Sequence, residues 1–299
     1  MGCAMFPPGH FYSPVIDRND PHVQQALAIE AQPDPELSGI ALNEPMMRPW
    51  FNRIKEQYRA HPFPAELSPS CLYYYNNPFF PLADALALLT FFRHAQPRRF
   101  IEAGSGFSSC AAIDCNEHFL SGRADLTFID PHPERLLDLL PVNSRYRSSI
   151  KQQCLQDASL KTFEELQPND ILFIDSSHVA KTGSDVLDYL FRILPALAPG
   201  VLIHIHDIFF PFEYPSDWVM DGERSWNEAY LLRAFLSNNS GYRILFFSDW
   251  FYKCRRSLVN AEMPLCIQHR GGSLWLRKEK PGTGIKISNF RRLFSSLSR

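Results

Sequence analysis

Several features are absent from this sequence, and each absence excludes a class of protein. No stretch approaches the roughly 18 consecutive apolar residues of a transmembrane helix. The N-terminal residues lack the charged and apolar regions of a secretion signal. The formal net charge is only −2, which offers no electrostatic attraction for nucleic acid or for an anionic membrane. We therefore expect neither nucleic acid nor membrane as a partner.

Paired cysteines are also absent. The seven cysteines are odd in number and no two have CxxC spacing, so the sequence predicts neither a disulfide framework nor a zinc site. Free cysteines suit a reducing compartment, and we expect a cytoplasmic protein.

The composition changes along the chain and suggests three segments. Residues 1–75 are rich in proline and have little sustained periodicity, which indicates an N-terminal arm or lid with short helices. Residues 76–280 form the main domain. Residues 281–299 are a basic tail containing Arg291, Arg292 and Arg299, and such a tail is usually a solvated end.

Short apolar strands alternate with helical segments through the main domain. This alternation predicts an α/β fold: a Rossmann-like, doubly wound, mostly parallel sheet of seven strands. No helical pattern is evident between the last two strands, which indicates an antiparallel C-terminal strand. The predicted strands are Arg99–Ala103, Asp125–Ile129, Ser148–Cys154, Asp170–Ile174, Val201–Ile205, Tyr242–Phe247 and Gly272–Arg277.

Four of these strands end in polar side chains, namely Glu102, Asp130, Asp175 and the pair His206-Asp207. In open α/β sheets, ligands bind beyond the carboxyl ends of the strands. An acidic side chain leaving a strand is poorly placed for the core and well placed to meet a polar ligand. These strand ends therefore predict one ligand site.

A glycine-containing loop, Gly104-Ser105-Gly106, follows the first strand, and Asp130 lies 24 residues after Gly106. That spacing suits an acid that binds ribose hydroxyls. NAD and S-adenosylmethionine (SAM) are the two competing cofactors. The carboxylate of Glu102 would repel the pyrophosphate of NAD and attract the ammonium of a methionine moiety, so the loop favours SAM.

The run from Arg99 to Ser109 resembles the first motif of class I SAM-dependent methyltransferases. The segment from Ile171 to His178, together with His204–Asp207, resembles the bacterial subgroup called methyltransferase family 24. The resemblance covers roughly residues 73–247. It implies contacts to the methionine end from the glycine loop, to the ribose from Asp130 and to the adenine near Gln156-Asp157. The cofactor-binding residues predicted in this way are Glu102, Gly104, Ser105, Gly106, Ser108, Asp130, Asp157 and Asp175.

The second group of predicted site residues is Asp175-Ser-Ser-His178 with His206-Asp207. Asp175 and Asp207 at adjacent strand ends would offer oxygen ligands to a divalent cation such as Mg²⁺, which would lower the pKa of a bound hydroxyl. His178, three residues after Asp175, would act as the base. Alternatively, the two acids only bind backbone donors, and His178 caps a helix.

The group resembles the site of metal-dependent sugar O-methyltransferases, with His206 where that pattern has a carboxylate. Imidazole is a poorer ligand for Mg²⁺. The predicted ligands Asp175, His206 and Asp207 would therefore hold a different metal, hold Mg²⁺ weakly or hold none.

An aromatic segment, residues 209–215 with Trp218, follows the fifth strand and either covers the substrate or packs into the core. We expect a SAM-dependent methyltransferase that acts on a hydroxyl of a sugar or another small metabolite. A non-catalytic SAM-binding module and an NAD-dependent oxidoreductase are the alternatives, and the sequence leaves a homo-oligomer open.

Overall fold

The computed structural model describes residues 6–280. The predicted basic tail, including Arg291, Arg292 and Arg299, lies outside the described residues. No helix within the described range is long and apolar enough to cross a membrane.

The predicted alternation of strands and helices is confirmed. The strands are β1 (Arg99–Ala103), β2 (Asp125–Ile129), β3 (Ile150–Lys151), β4 (Ile171–Ile174), β5 (Leu202–Ile205), β6 (Tyr242–Phe247) and β7 (Leu274–Lys278). The helices are α1 (Pro21–Ala31), α2 (Glu44–Tyr58), α3 (Leu82–Ala95), α4 (Phe107–Leu120), α5 (Glu134–Leu139), α6 (Leu160–Glu164), α7 (Asp185–Asp188), α8 (Leu194–Ala196), α9 (Ser216–Met220), α10 (Glu228–Leu236), α11 (Ser248–Cys254), α12 (Arg256–Glu262) and α13 (Leu265–Gln268). A π-helical turn, Tyr189–Ile193, joins α7 to α8.

The seven strands form one sheet in the order β3-β2-β1-β4-β5-β7-β6. β7 pairs antiparallel with both β5 and β6, and the other pairs are parallel. The strand order reverses between β1 and β4, which is where an open α/β sheet leaves a crevice for a ligand. The predicted Rossmann-like sheet with an antiparallel C-terminal strand is therefore confirmed.

Two details differ from the sequence prediction. β3 is only Ile150–Lys151, because a 3₁₀ turn at Arg145–Ser149 takes the first two residues of the predicted strand and residues 152–154 pair with no strand. Between β6 and β7, where a loop was predicted, the chain forms α11, α12 and α13. These helices are only four to seven residues long, too short to show a clear helical period in the sequence.

The predicted N-terminal arm packs against the main sheet domain. Phe51 of α2 is buried and stacks on Phe251 of α11 with ring centroids 4.8 Å apart. The Lys253 ammonium of α11 forms an ion pair with Glu30 of α1, and the Trp250 indole donates a hydrogen bond to the carbonyl of Pro35 at 3.0 Å. Helix α11, one of the helices that the sequence did not predict, thus helps to fix the arm on the main domain.

Candidate active site

A cavity of about 1130 Å³ opens at the carboxyl ends of β1, β2, β4 and β5. The predicted residues Gly104, Ser105, Asp130, Asp175 and Asp207 line it, together with His178 and His206. The sheet therefore brings most of the predicted site residues to one place. A cavity of this size has room for a cofactor together with a small acceptor.

The glycine loop brings β1 against the end of β4. Gly104 has φ = +89°, and a Cβ atom at this position would lie 1.7 Å from the carbonyl oxygen of Asp175. Only glycine permits this conformation and this approach. The next residue, Ser105, donates a hydrogen bond at 2.6 Å to the carboxylate of Asp130, which also accepts one from the backbone N–H of His132 at 2.8 Å. The loop and Asp130 thus form one wall of the cavity.

Glu102 lies behind this loop and does not line the cavity. Its fully buried carboxyl group accepts hydrogen bonds from the hydroxyls of Ser108 (2.5 Å) and Ser109 (2.7 Å) at the start of α4. Burial raises the pKa of Glu102 to about 8. Successive residues of a strand point to opposite faces, so Ala103 faces the cavity and Glu102 faces α4. Glu102 and Ser108 therefore hold the glycine loop against α4. Their contact with the cofactor stays a prediction.

The segment predicted to contact adenine, Gln156-Asp157, lies only partly in the cavity wall. Asp157 is exposed and does not line the cavity, whereas Cys154, Leu155 and Gln156 do. The Gln156 side chain donates a hydrogen bond at 2.7 Å to the carbonyl of Gly183 across the cavity rim. Leu155–Asp157 form a 3₁₀ turn just beyond the predicted strand, so strand alternation does not give the directions of these side chains.

The second predicted group is centred on the imidazole of His178. Its Nε2 atom lies 3.5 Å from Asp175 Oδ1 and 3.7 Å from Asp207 Oδ2, and its Nδ1 atom lies 2.7 Å from Glu228 Oε2. The ring is buried and packs on Trp226 with centroids 4.3 Å apart. One imidazole therefore has carboxylates at both ring nitrogens.

The backbone at this group is held in an uncommon conformation. His178 has φ = +58° and Asp207 has φ = +55°, both in the left-handed region. Each such non-glycine residue costs about 1–3 kcal/mol, and such residues are concentrated at functional sites. The surrounding contacts must hold both residues in place.

The charges of this group shift its pKa values strongly. Burial alone would lower the pKa of His178, but hydrogen bonds to Asp175 and Glu228 raise it well above its usual range. Burial would raise the pKa of Asp175, but the nearby charges of His206 and His178 hold it below its usual value. For Asp207, burial prevails and its pKa is raised. Shifts of this kind, in a cavity, are typical of functional sites.

Glu228 and Tyr189 belong to the site although the sequence prediction did not include them. The backbone N–H of Glu228, in the first turn of α10, donates a hydrogen bond at 3.2 Å to the carbonyl of His178. The Tyr189 hydroxyl donates to Glu228 Oε1 at 2.5 Å from the π-helical turn. π-Turns are frequent at functional sites, but nothing in the sequence marks this one. Only its place beside α10 shows the role of Tyr189.

His206, the third predicted metal ligand, has a carboxylate near each of its ring nitrogens. Its Nε2 atom lies 3.5 Å from Asp207 Oδ1, the oxygen that faces away from His178. Its Nδ1 atom lies 3.8 Å from Asp84, a buried residue of α3 that the sequence analysis did not select. Asp84 is held by the Ser273 hydroxyl at 2.5 Å. His206 thus lies between the carboxylates of Asp207 and Asp84, in the wall of the cavity.

The predicted aromatic segment divides between cavity and core. Phe209 and Trp218 line the cavity, whereas Phe210, Phe212 and Tyr214 are buried in the core. A further cavity residue, Arg224, stacks its guanidinium on Trp218 at 3.9 Å and on Trp226 at 4.6 Å. We call Trp218, Arg224 and Trp226 the aromatic wall. It stands beside His178, whose ring packs on Trp226.

Sequence comparisons agree with this fold and site. A family model described as a methyltransferase domain matches residues 101–208, from β1 to just beyond Asp207. An uncharacterized protein of Archaeoglobus fulgidus is 34% identical over 169 residues, which are 56% of this chain and 76% of that protein. The fold and the cofactor loop define a class I SAM-dependent methyltransferase. The chain belongs to the methyltransferase domain family of this model, family 24, which sets aside the oxidoreductase alternative.

Solved structures with a similar chain trace are distant in sequence. One is a methyltransferase of Podospora anserina bound to S-adenosylhomocysteine, 15% identical, covering 89% of this chain and 99% of that one, with a TM-score of 0.42. Another is the O-methyltransferase TomG of Streptomyces achromogenes in complex with SAM, 14% identical, covering 81% and 92%, with a TM-score of 0.42.

Proposed function

We propose that the enzyme transfers the methyl group of SAM to a hydroxyl oxygen of a small acceptor, either a sugar or another hydroxylated metabolite. The supporting observation is the convergence of His178 Nε2 with the carboxylates of Asp175 and Asp207 beside the turn at Gly104. A hydroxyl placed there meets hydrogen-bonding groups on three sides. SAM, when bound, supplies an electrophilic methyl group, and positioning the two reactants accounts for much of the rate of such a transfer.

His178 is the proposed proton acceptor. The carboxylate of Glu228 at Nδ1 keeps a proton on that nitrogen, so the nitrogen that exchanges its proton is Nε2, on the cavity side. The Tyr189 hydroxyl fixes Glu228 in turn. Because the pKa of His178 is raised, the neutral ring becomes more populated as the pH rises above neutrality, and it is then a stronger base than an ordinary histidine.

The donor atoms do not fit the predicted three-ligand metal site as they are arranged. His178 Nε2 lies between Asp175 and Asp207, and His206 faces the other oxygen of Asp207. Within residues 6–280, Cys71, Asp114 and His118 are the three metal-ligating side chains whose ligand atoms all lie within 4.8 Å of one another. They lie elsewhere in the fold. We therefore propose proton removal by this chain's own residues.

The aromatic wall is the proposed acceptor surface. Sugar rings present C–H faces that pack on aromatic rings, and Trp218 and Trp226 stand next to the reacting groups. Arg224 lies across both rings and can donate hydrogen bonds to acceptor oxygens.

The function is tested by incubating the protein with methyl-labelled SAM and a panel of sugars, glycosides and phenols, followed by mass spectrometry. We expect label on a hydroxyl oxygen of an aliphatic acceptor. The variant His178→Gln keeps hydrogen-bonding capacity without basicity and should lower kcat by roughly 10²–10⁴-fold. It should also lose the rise in rate above neutral pH, whereas SAM affinity is retained.

The matched control is His22→Gln, which alters an exposed histidine of α1 that does not line the cavity. Label on nitrogen or carbon would contradict O-methylation, and an unchanged pH profile in His178→Gln would remove the role of the base. Activity should survive exhaustive chelation. Loss of activity that Mg²⁺ alone restores would instead assign a metal to Asp175 and Asp207.

A further inference from the structure

A second group of chemically competent side chains lies outside the cavity: Cys71, Asp114 and His118. One potential ligand atom from each residue lies within 4.8 Å of the others. Cys71 and Asp114 are buried and His118 is exposed. The group therefore lies just below the surface, with the His118 side open to solvent. Nothing in the proposed reaction uses these residues.

Two elements bring the group together. Asp114 and His118 are four residues apart in α4 and therefore lie on one face of that helix. Cys71 belongs to the segment between α2 and α3, and its neighbours fix it against the helix. The backbone N–H groups of Leu72 and Tyr73 donate hydrogen bonds to the two carboxylate oxygens of Asp114 at 3.0 and 2.8 Å. The sulfur itself lies 3.5 Å from the carbonyl oxygen of Pro62, while the hydrogen bonds of Leu72 and Tyr73 hold the segment on α4.

The distance between the sulfur and the imidazole matches a shared metal ion. Cys71 Sγ lies 3.6 Å from His118 Nε2. Zinc binds thiolate at about 2.3 Å and imidazole at about 2.0–2.1 Å in tetrahedral geometry, which separates the two ligand atoms by about 3.6 Å. The two side chains therefore need little movement to bind one zinc ion.

Asp114 gives independent support because its carboxylate is buried with no lysine or arginine partner among the described residues, and His118 is the one cationic group of the cluster beside it. Only 5% of the residue is exposed, and within residues 6–280 it takes part in none of the ion pairs. Buried charges are normally paired or coordinate a metal. Its two backbone hydrogen bonds leave lone pairs free on both oxygens.

We propose that Cys71, Asp114 and His118 bind a divalent ion of the zinc class, with water in the fourth position on the exposed side. A thiolate and an imidazole select zinc-like ions over Mg²⁺ or Ca²⁺. The thiol of Cys71 loses its proton to solvent as the metal binds. The ion fastens the segment before α3 to α4, and this segment continues to Asn77, Pro78 and Phe79 in the cavity wall. The site is structural and does not depend on the proposed acceptor.

The test uses the full chain, freed of metal by chelation and dialysis and then titrated with Co²⁺. Thiolate-bound cobalt has a charge-transfer absorption in the near ultraviolet, and we expect it to saturate at about one equivalent. Cys71→Ser should abolish the band. His118→Asn alters an exposed side chain, leaves the fold intact and should weaken binding at least about tenfold. Zn²⁺ should raise the melting temperature of the wild type more than that of either variant.

The matched controls are Cys254→Ser and His22→Asn, which should keep both the absorption band and the response to Zn²⁺. Cobalt bound by the carboxylates of the cavity has no thiolate ligand and gives no such band, so the two regions are distinguished. Absence of the band in the wild type would overturn the proposal. So would a band that persists in Cys71→Ser, because another cysteine would then be the ligand.

Discussion

At the scale of single residues, the site depends on carboxyl groups whose surroundings give them different roles. Glu102 is sealed behind the glycine loop, Asp130 faces the cavity, and Glu228 supports His178 from the far side. The sequence shows the position of Glu102 and Asp130 at strand ends, but the direction of each side chain is a property of the packing. The packing turns the Glu102 carboxyl group toward Ser108 and Ser109 of α4, and its contact with the cofactor stays a prediction.

The raised pKa of Glu102 predicts a pH-dependent stability. Burial raises it from an ordinary 4.5 to about 8, so the folded state holds a proton that the unfolded state releases. The stability contributed by that proton is complete below about pH 4.5 and is lost as the pH rises through about 8. Glu102→Gln cannot ionise, so between pH 5 and 9 it should gain on the order of a few kcal/mol relative to the wild type.

This gain is measured by urea unfolding of both proteins at several pH values, without cofactor. Glu164→Gln, at an exposed position of α6, is the control and should follow the wild type. If the free energies of unfolding of wild type and Glu102→Gln ran parallel across this range, Glu102 would not be a protonated buried group.

At the scale of elements, short helices and turns between strands position the site residues. The π-helical turn supplies Tyr189, α10 begins at Glu228, and α11 ties the N-terminal arm to the segment after β5 through Lys253. The Lys253 ammonium also donates a hydrogen bond at 2.6 Å to the carbonyl of Phe210. Helices α11–α13 are only four to seven residues long, which explains why the sequence did not predict them.

The aromatic wall gives a prediction for the segment after β5. Replacing Trp218 with alanine removes one of the two rings over which the Arg224 guanidinium stacks. The substitution leaves the glycine loop unchanged. KM for the acceptor should rise about tenfold, equivalent to about 1.4 kcal/mol, with little change in the affinity for SAM. Steady-state kinetics with the acceptor from the labelling screen measure both values. Tyr12→Ala, which removes an exposed aromatic ring, is the control, and an unchanged KM in Trp218→Ala would exclude the wall as an acceptor surface.

At the scale of the whole molecule, one parallel sheet with a crevice between β1 and β4 defines a cofactor site, and the helices around it make a single cavity of about 1130 Å³. The family to which the chain belongs makes SAM the cofactor. Both walls of the cavity, the one at Asp130 and the one at Trp218, must be folded for cofactor and acceptor to meet.

Ligand binding should therefore stabilise the entire fold. SAM or S-adenosylhomocysteine at 100 times its dissociation constant contributes about 2.7 kcal/mol and should raise the melting temperature by several degrees. NAD at the same concentration should have no effect. Differential scanning fluorimetry with the three compounds in parallel measures these shifts, and stabilisation by NAD alone would contradict the assignment of the loop at Gly104.

The sequence by itself determined the sheet, its antiparallel end, the cofactor class and the strand ends at Asp130, Asp175 and Asp207. These follow from strand periodicity and from residues that are neighbours along the chain. Only the tertiary structure decided which side chains face the cavity, because that depends on contacts between distant segments. Glu228 reaches His178 across 50 residues. Cys71 meets His118 across 47 residues, although cysteine spacing alone predicted no metal site.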